Sequence, residues 1–133
     1  MPWKAYGSLP DDQALIQELQ ANEHMARAAG YGANMVDQII KEEKPDIYIG
    51  AEDIWAFNGY TKRSWWNKTN CMIWTTLDSL PILPDAVAVA PMVKNYYVWS
   101  SSAEKALHEL GHTHVKTLHG SIECSTFHRL DDK

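Results

Sequence analysis

The feature that most limits how this chain folds is a change of hydrophobic period at Pro45. Before it, apolar residues recur at helical spacing. After it, they gather in four short runs: Asp46-Ile47-Tyr48-Ile49-Gly50, Cys71-Met72-Ile73-Trp74-Thr75-Thr76, Asn95-Tyr96-Tyr97-Val98-Trp99 and Val115-Lys116-Thr117-Leu118. Short runs of β-branched and aromatic residues predict strands. They are mostly apolar, as expected of strands covered on both faces. The gaps between them, residues 51–70, 77–94 and 100–114, are long enough to carry the chain back for a parallel pairing. The expected fold is α/β: a partial Rossmann-like domain of about four mainly parallel strands with flanking helices.

The helical segments have their own signals. Asp11-Asp12 places carboxylates where the helix dipole favours them, and Leu15, Ile16 and Leu19 share one face over residues 13–20. A longer pattern follows, with Met25, Ala28, Ala29, Met35, Val36, Ile39 and Ile40 on its buried side and Gly30 and Gly32 interrupting it. It ends near Lys44, because the residue before a proline avoids the helical region. The clearest crossover helix runs from Ser101 to Leu110. Ser101 and Glu104 have capping-box spacing, Ala103, Ala106, Leu107 and Leu110 form one stripe, and Gly111 supplies the stop. A further helix is predicted over residues 84–90.

Composition narrows the function classes. With 133 residues there is room for one domain. A net charge of -5 provides no electrostatic footprint for nucleic acid. The apolar runs fall well short of the roughly 18 residues of a membrane-spanning helix. Met1-Pro2-Trp3-Lys4 does not open a signal peptide. Two thiols in unrelated contexts, Cys71 and Cys124, then suggest the cytoplasm.

In parallel sheets, ligands bind in the loops beyond the strand C-termini. That rule selects Glu52, Asp53 and Trp55 after the first run, and Thr76, Asp78 and Ser79 after the second. It selects Ser100, Ser101 and Ser102 after the third, and His119 and Gly120 after the fourth.

Four stretches carry a family resemblance. They are Lys44 to Gly50, Trp74-Thr75-Thr76-Leu77-Asp78-Ser79, Val98 to Leu107, and Leu110-Gly111 through Val115-Lys116-Thr117-Leu118-His119-Gly120-Ser121-Ile122-Glu123. Together they resemble the acceptor domain of group 1 (GT4-like) glycosyltransferases of the GT-B type. The last two resemble the family's strand, serine, helix, Leu-Gly, strand, Gly-x-Asp passage, with Glu123 where aspartate is usual. Phe127 and Arg129 fit its run-in to the interdomain linker. The resemblance covers roughly residues 44–130 and rests on order and spacing.

What the resemblance implies is a truncated acceptor half, residues 1–133, with the opening strand and the donor domain absent. The intact family moves a sugar from a nucleotide-sugar donor to an acceptor hydroxyl with retained configuration. This half would bind the sugar acceptor, would meet nucleotide-sugar only with a donor domain supplied, would need no cofactor, and would be inactive alone. No residue stands out as catalytic, Glu52 and Asp53 being the weak candidates. The substrate-binding candidates are Glu52, Asp53, Trp55, Thr76, Asp78, Ser79, Ser100, His119 and Gly120. Carboxylates suit sugar hydroxyls because they accept two hydrogen bonds in a plane. The competing structural roles are helix caps for Asp53 and Asp78 and core packing for Trp55.

A second reading comes from His108-Glu109-Leu110-Gly111-His112, which matches the H-E-x-x-H zinc hydrolase pattern, with His108 and His112 as ligands. It ranks lower because the helix is expected to stop at Gly111, and because no metzincin third histidine follows. His114, His119, Glu123, Cys124 and His128 are the other candidate third ligands. A third reading is a non-catalytic carbohydrate-binding or interaction module. Tyr60, Trp65 and Trp66, near Lys62, Arg63 and Lys68, suit a loop packed over the sheet or an acceptor-binding lip better than a nucleic-acid stacking surface. A parallel sheet lacking a neighbour exposes an edge that invites pairing, so a homo-oligomer is expected.

Overall fold

The computed structural model of the chain describes residues 3–57, 59–121, 123 and 126. Three helices come first: α1 Gln13–Gln20, α2 Glu23–Gly30 and α3 Val36–Glu43. Then strands alternate with crossovers: β1 Ile47–Ala51, β2 Asn70–Thr75, α4 Pro84–Val89, β3 Asn95–Val98, α5 Ser101–Glu109 and β4 Lys116–Thr117. Short 3-10 turns at Ile54–Phe57 and Tyr60–Lys62 occupy the first crossover. The four strands form one sheet in the order β1-β2-β3-β4, and every pairing is parallel. The α/β, Rossmann-like partial fold expected from the period change is the fold observed.

Helix ends follow local chemistry. The Asp12 carboxylate accepts from Ala14 N at 2.8 Å and Leu15 N at 3.3 Å, starting α1. Asn22 does the same for α2. The long helical pattern divides at Gly32, whose φ of 77° an L side chain rarely adopts. Met25, expected on the buried side, is exposed, because α2 turns Ala29 rather than Met25 inward. Lys44, at φ 46°, ends α3 just before Pro45.

The expectation of strands buried on both faces is corrected. Along β2, Cys71, Ile73 and Thr75 are buried, while Asn70 is exposed and Met72 and Trp74 are half-buried. On β1, Ile47 and Ile49 are 59% and 60% exposed. The reason is topological. In a sheet of consecutive parallel strands, crossovers of one hand all return over the same face. Ile54, Phe57, Tyr60, Trp65 and Trp66 from the first crossover share one core with Ala86 and Val89 of α4 and with Ala103 and Leu107 of α5. Ile73, Tyr96 and Val98 are the strand side of that core.

The first crossover has little helix and is held by rings instead. Trp65 lies 5.2 Å from Tyr48 and 5.8 Å from Trp66, centroid to centroid. Asp37 on α3 accepts from Trp65 Nε1 at 2.6 Å and pairs with Arg63, so α3 is tied to the loop. The aromatic cluster is thus a lid over the sheet, with its rings buried. Gly50 makes this possible: a Cβ there would stand 2.4 Å from Phe57 Cε1. The buried Thr75 hydroxyl is satisfied by Tyr96 Oη at 3.2 Å. No helix among the described residues is long and apolar enough to cross a membrane.

Candidate functional site

The C-terminal ends of β2 and β3 open onto a cleft of about 530 Å³, within the size range of small-molecule sites. Thr76, Asp78 and Ser79 line it from the β2 loop, and Ser100 and Ser102 line it from the start of α5. Leu77, Leu80, Ile82, Trp99 and Ala103 form its apolar wall. The serines are placed by the helix they begin. Ser100 Oγ accepts from Ala103 N at 3.2 Å and lies 3.1 Å from Ser102 Oγ.

This corrects the capping box. The N-cap of α5 is Ser100, not Ser101. Glu104 does not reach back to the helix start but accepts from Thr117 N at 2.7 Å and from the Thr117 hydroxyl. Those bonds, the hydroxyl's first, hold the Glu104 carboxyl below its ordinary pKa. They also fasten the two-residue strand β4 to α5.

Trp99 is held from several sides. It stacks on Trp74 with centroids 4.6 Å apart and planes 14° from parallel. Trp74 is itself held by Nε1 donating to the Leu118 carbonyl at 2.7 Å. Gly120 lies against the other ring, since a Cβ there would stand 2.8 Å from Trp99 Cζ3. His119 Nδ1 donates to the Trp99 carbonyl at 3.0 Å. Despite these contacts Trp99 is 42% exposed, so part of the indole faces solvent.

The sequence-derived candidates therefore separate into groups. Thr76, Asp78, Ser79 and Ser100 come together in the cleft. Asp53 joins them at one remove: its carboxylate accepts from the Thr76 hydroxyl, linking the loops after β1 and β2. That bond, not a helix cap, occupies the Asp53 side chain. His119 and Gly120 support Trp99 without lining the cleft. Glu52 is exposed and accepts from Asp53 N at 3.2 Å, beside a separate shallow hollow.

Trp55 is elsewhere again. It packs edge-on against Tyr31 at 4.6 Å and under Arg27 at 5.7 Å, on a hollow with His24 and Asp85. It leaves the cleft because the chain turns into the 3-10 segment Ile54–Phe57 directly after β1. The apolar wall is what sequence reasoning did not single out. Trp99 ends the third β run just before the serines, so its place at a strand terminus was the signal available for it. Leu80 and Ile82 carry no such mark.

The histidine string does not build a metal face. α5 ends at Glu109, and Gly111 at φ 93° turns the chain away before His112. His108 Nε2 donates to the Val115 carbonyl at 2.8 Å, and His114 Nε2 lies 2.9 Å from the Ala90 carbonyl. Among the described residues no three His, Cys, Asp or Glu side chains gather to hold a metal. Cys124, Phe127, His128 and Arg129 lie outside the described residues. Cys71 is a free thiol, buried, and burial pushes its pKa up to about 11, which suits a packing residue. Comparison with protein-family models, curated proteins and solved structures gave no match for this chain.

Proposed function

We propose that the chain is the acceptor-binding half of a retaining GT-B glycosyltransferase, and that the cleft beyond β2 and β3 holds the sugar acceptor. The observation that carries this reading is the composition of the cleft. Asp78, Ser79, Ser100 and Ser102 supply acceptors and donors for hydroxyls, opposite an indole partly open to solvent. A pyranose needs both: hydrogen bonds around its rim and an apolar surface under its C–H face. The position at the C-terminal edge of a parallel sheet is where such folds take ligands.

In this reading the domain orients an acceptor hydroxyl and shields it from water. Stabilisation of the donor diphosphate falls to a second domain, so the half binds acceptor and does not turn over by itself. Asp53 acts through Thr76, keeping the β2 loop in place. A cytoplasmic location accompanies the reading. So does self-association through β1, whose outer edge pairs with no strand among the described residues.

The test is saturation-transfer NMR with a panel of free monosaccharides and disaccharides on the wild type and on Asp78→Ala/Ser79→Ala. Saturation of sugar protons that disappears in the double variant supports the cleft as a glycan site. No transfer from any sugar removes the reading. A non-catalytic carbohydrate-binding module differs in one respect: it binds the same sugars but transfers nothing when a donor domain is supplied.

A further inference from the structure

The cleft has two unlike walls and one formal charge. Among the described residues that line it, Asp78 alone is ionisable. The opposite wall is apolar and unusually open, with Leu80 76% exposed and Trp99 42% exposed. From these observations we infer that the ligand of the cleft is an uncharged sugar carrying an apolar or aromatic substituent, and not a sugar phosphate or another anion. This rests on the sugar-binding reading above and narrows its substrate class.

Two physical arguments support the inference. The first concerns charge. An anion in the cleft would face the Asp78 carboxylate with no lysine, arginine or histidine among the lining residues to offset it. His119, behind Trp99, is outside the lining and donates to the Trp99 carbonyl. At the start of α5 one backbone donor is already used. Ser100 Oγ already takes the Ala103 N–H, and the first turn carries the Glu104 carboxylate, which complements the dipole from within the chain.

The second argument concerns area. A sugar ring covers the solvent-open part of the Trp99 indole and no more of the apolar wall, since the rest of that indole is stacked on Trp74 and flanked by Gly120. What remains apolar is the stretch from the indole toward Leu80 and Ile82. Hydroxyls there would lose water without gaining partners, whereas an alkyl or aryl group would release it. The polar wall and the indole thus suit the ring, and the stretch at Leu80 and Ile82 suits its substituent.

The experiment compares three probe sets on the intact chain by NMR titration: methyl glycosides, phenyl glycosides and 1-phosphates of glucose, galactose, mannose and N-acetylglucosamine. The expected result is that the phenyl glycoside of at least one sugar binds about tenfold more tightly than its methyl glycoside. The matching phosphate should bind more weakly than either. Leu80→Ser, at a side chain too exposed to hold the fold together, should bring phenyl binding toward methyl binding. Trp99→Phe should shift the same resonances less on titration.

A phosphate that binds as tightly as the phenyl glycoside overturns the inference and leaves the cleft a sugar site. Equal binding of methyl and phenyl glycosides overturns it too, by removing the apolar subsite. If none of the three sets perturbs the cleft, the sugar-binding reading fails and the inference fails with it.

Discussion

The two faces of the sheet are built from the same strands, yet one is a sealed core and the other is open. On the inner face, Ile73 and Val98 are fully buried and the buried Thr75 hydroxyl has a partner in Tyr96. On the outer face, Ile47, Ile49, Met72, Trp74 and Tyr97 line up across β1, β2 and β3, and only Lys116 on β4 brings a charge. Both faces carry large apolar side chains, although Asn70 and Asn95 also stand on the outer one. What differs is that every crossover returns over the same side. The cleft lies where the faces meet, and Trp99, on the outer-face register with Tyr97 and Trp74, is turned into a wall of the site. An apolar residue in a parallel sheet can therefore be core, surface or cleft wall according to which side its connections take.

Substitutions in matched positions test that contrast. The largest effect is expected from Ile73→Ala, which empties a fully buried position on β2. It should destabilise the domain by about 2–5 kcal/mol in urea unfolding. A loss under 1 kcal/mol would mean the inner face is not the packed side. Next comes Gly50→Ala. Its new methyl meets Phe57 at 2.4 Å, forcing the ring or the strand to move at a cost of about 1–3 kcal/mol. Phe57→Leu in the same chain should recover part of the loss. If it does not, the clash is elsewhere.

A smaller effect is expected at the β4 edge and depends on pH. Glu104 has its folded pKa depressed by the Thr117 hydroxyl and backbone bonds. A depressed carboxyl contributes stability above its unfolded pKa and loses it as pH falls through the folded value. The difference in Tm between wild type and Glu104→Gln should therefore be present at neutral pH and shrink on acidification. A gap that widens in acid would contradict the assignment. The smallest effect is expected from Ile49→Ser on the outer face, within about 0.5 kcal/mol of wild type. If it costs more than about 1 kcal/mol, with the loss growing with protein concentration, a second copy covers that face in solution.

Much of the architecture was legible in the residues. The period change at Pro45 located the boundary between helices and sheet, and the four runs match β1 to β4 within about two residues at each end. The stops at Gly111 and Lys44 followed from backbone preferences. Part of the site was also legible, because Thr76, Asp78, Ser79 and Ser100 follow strand ends and strand ends converge in a parallel sheet. Trp55 and Glu52 obeyed the same rule and did not converge. The rule says where a loop begins but not where a 3-10 turn sends it. The weakness of the H-E-x-x-H string was legible too: its spacing implies one helical face only if the helix continues through Gly111, and α5 ends at Glu109.

The sequence by itself determined the class of fold, the order of its strands and crossovers and the acidic start of α1. These depend on periodicity and on residues within a few positions of one another, so local physics suffices. The tertiary structure alone decided which face of each strand is covered and that Ser100 rather than Ser101 begins α5. It also decided that Glu104 serves β4 and that Trp99 is held against Trp74 as a wall of the cleft. Each of these joins residues far apart in the chain, and such a contact forms only when packing repays the entropy of bringing its partners together.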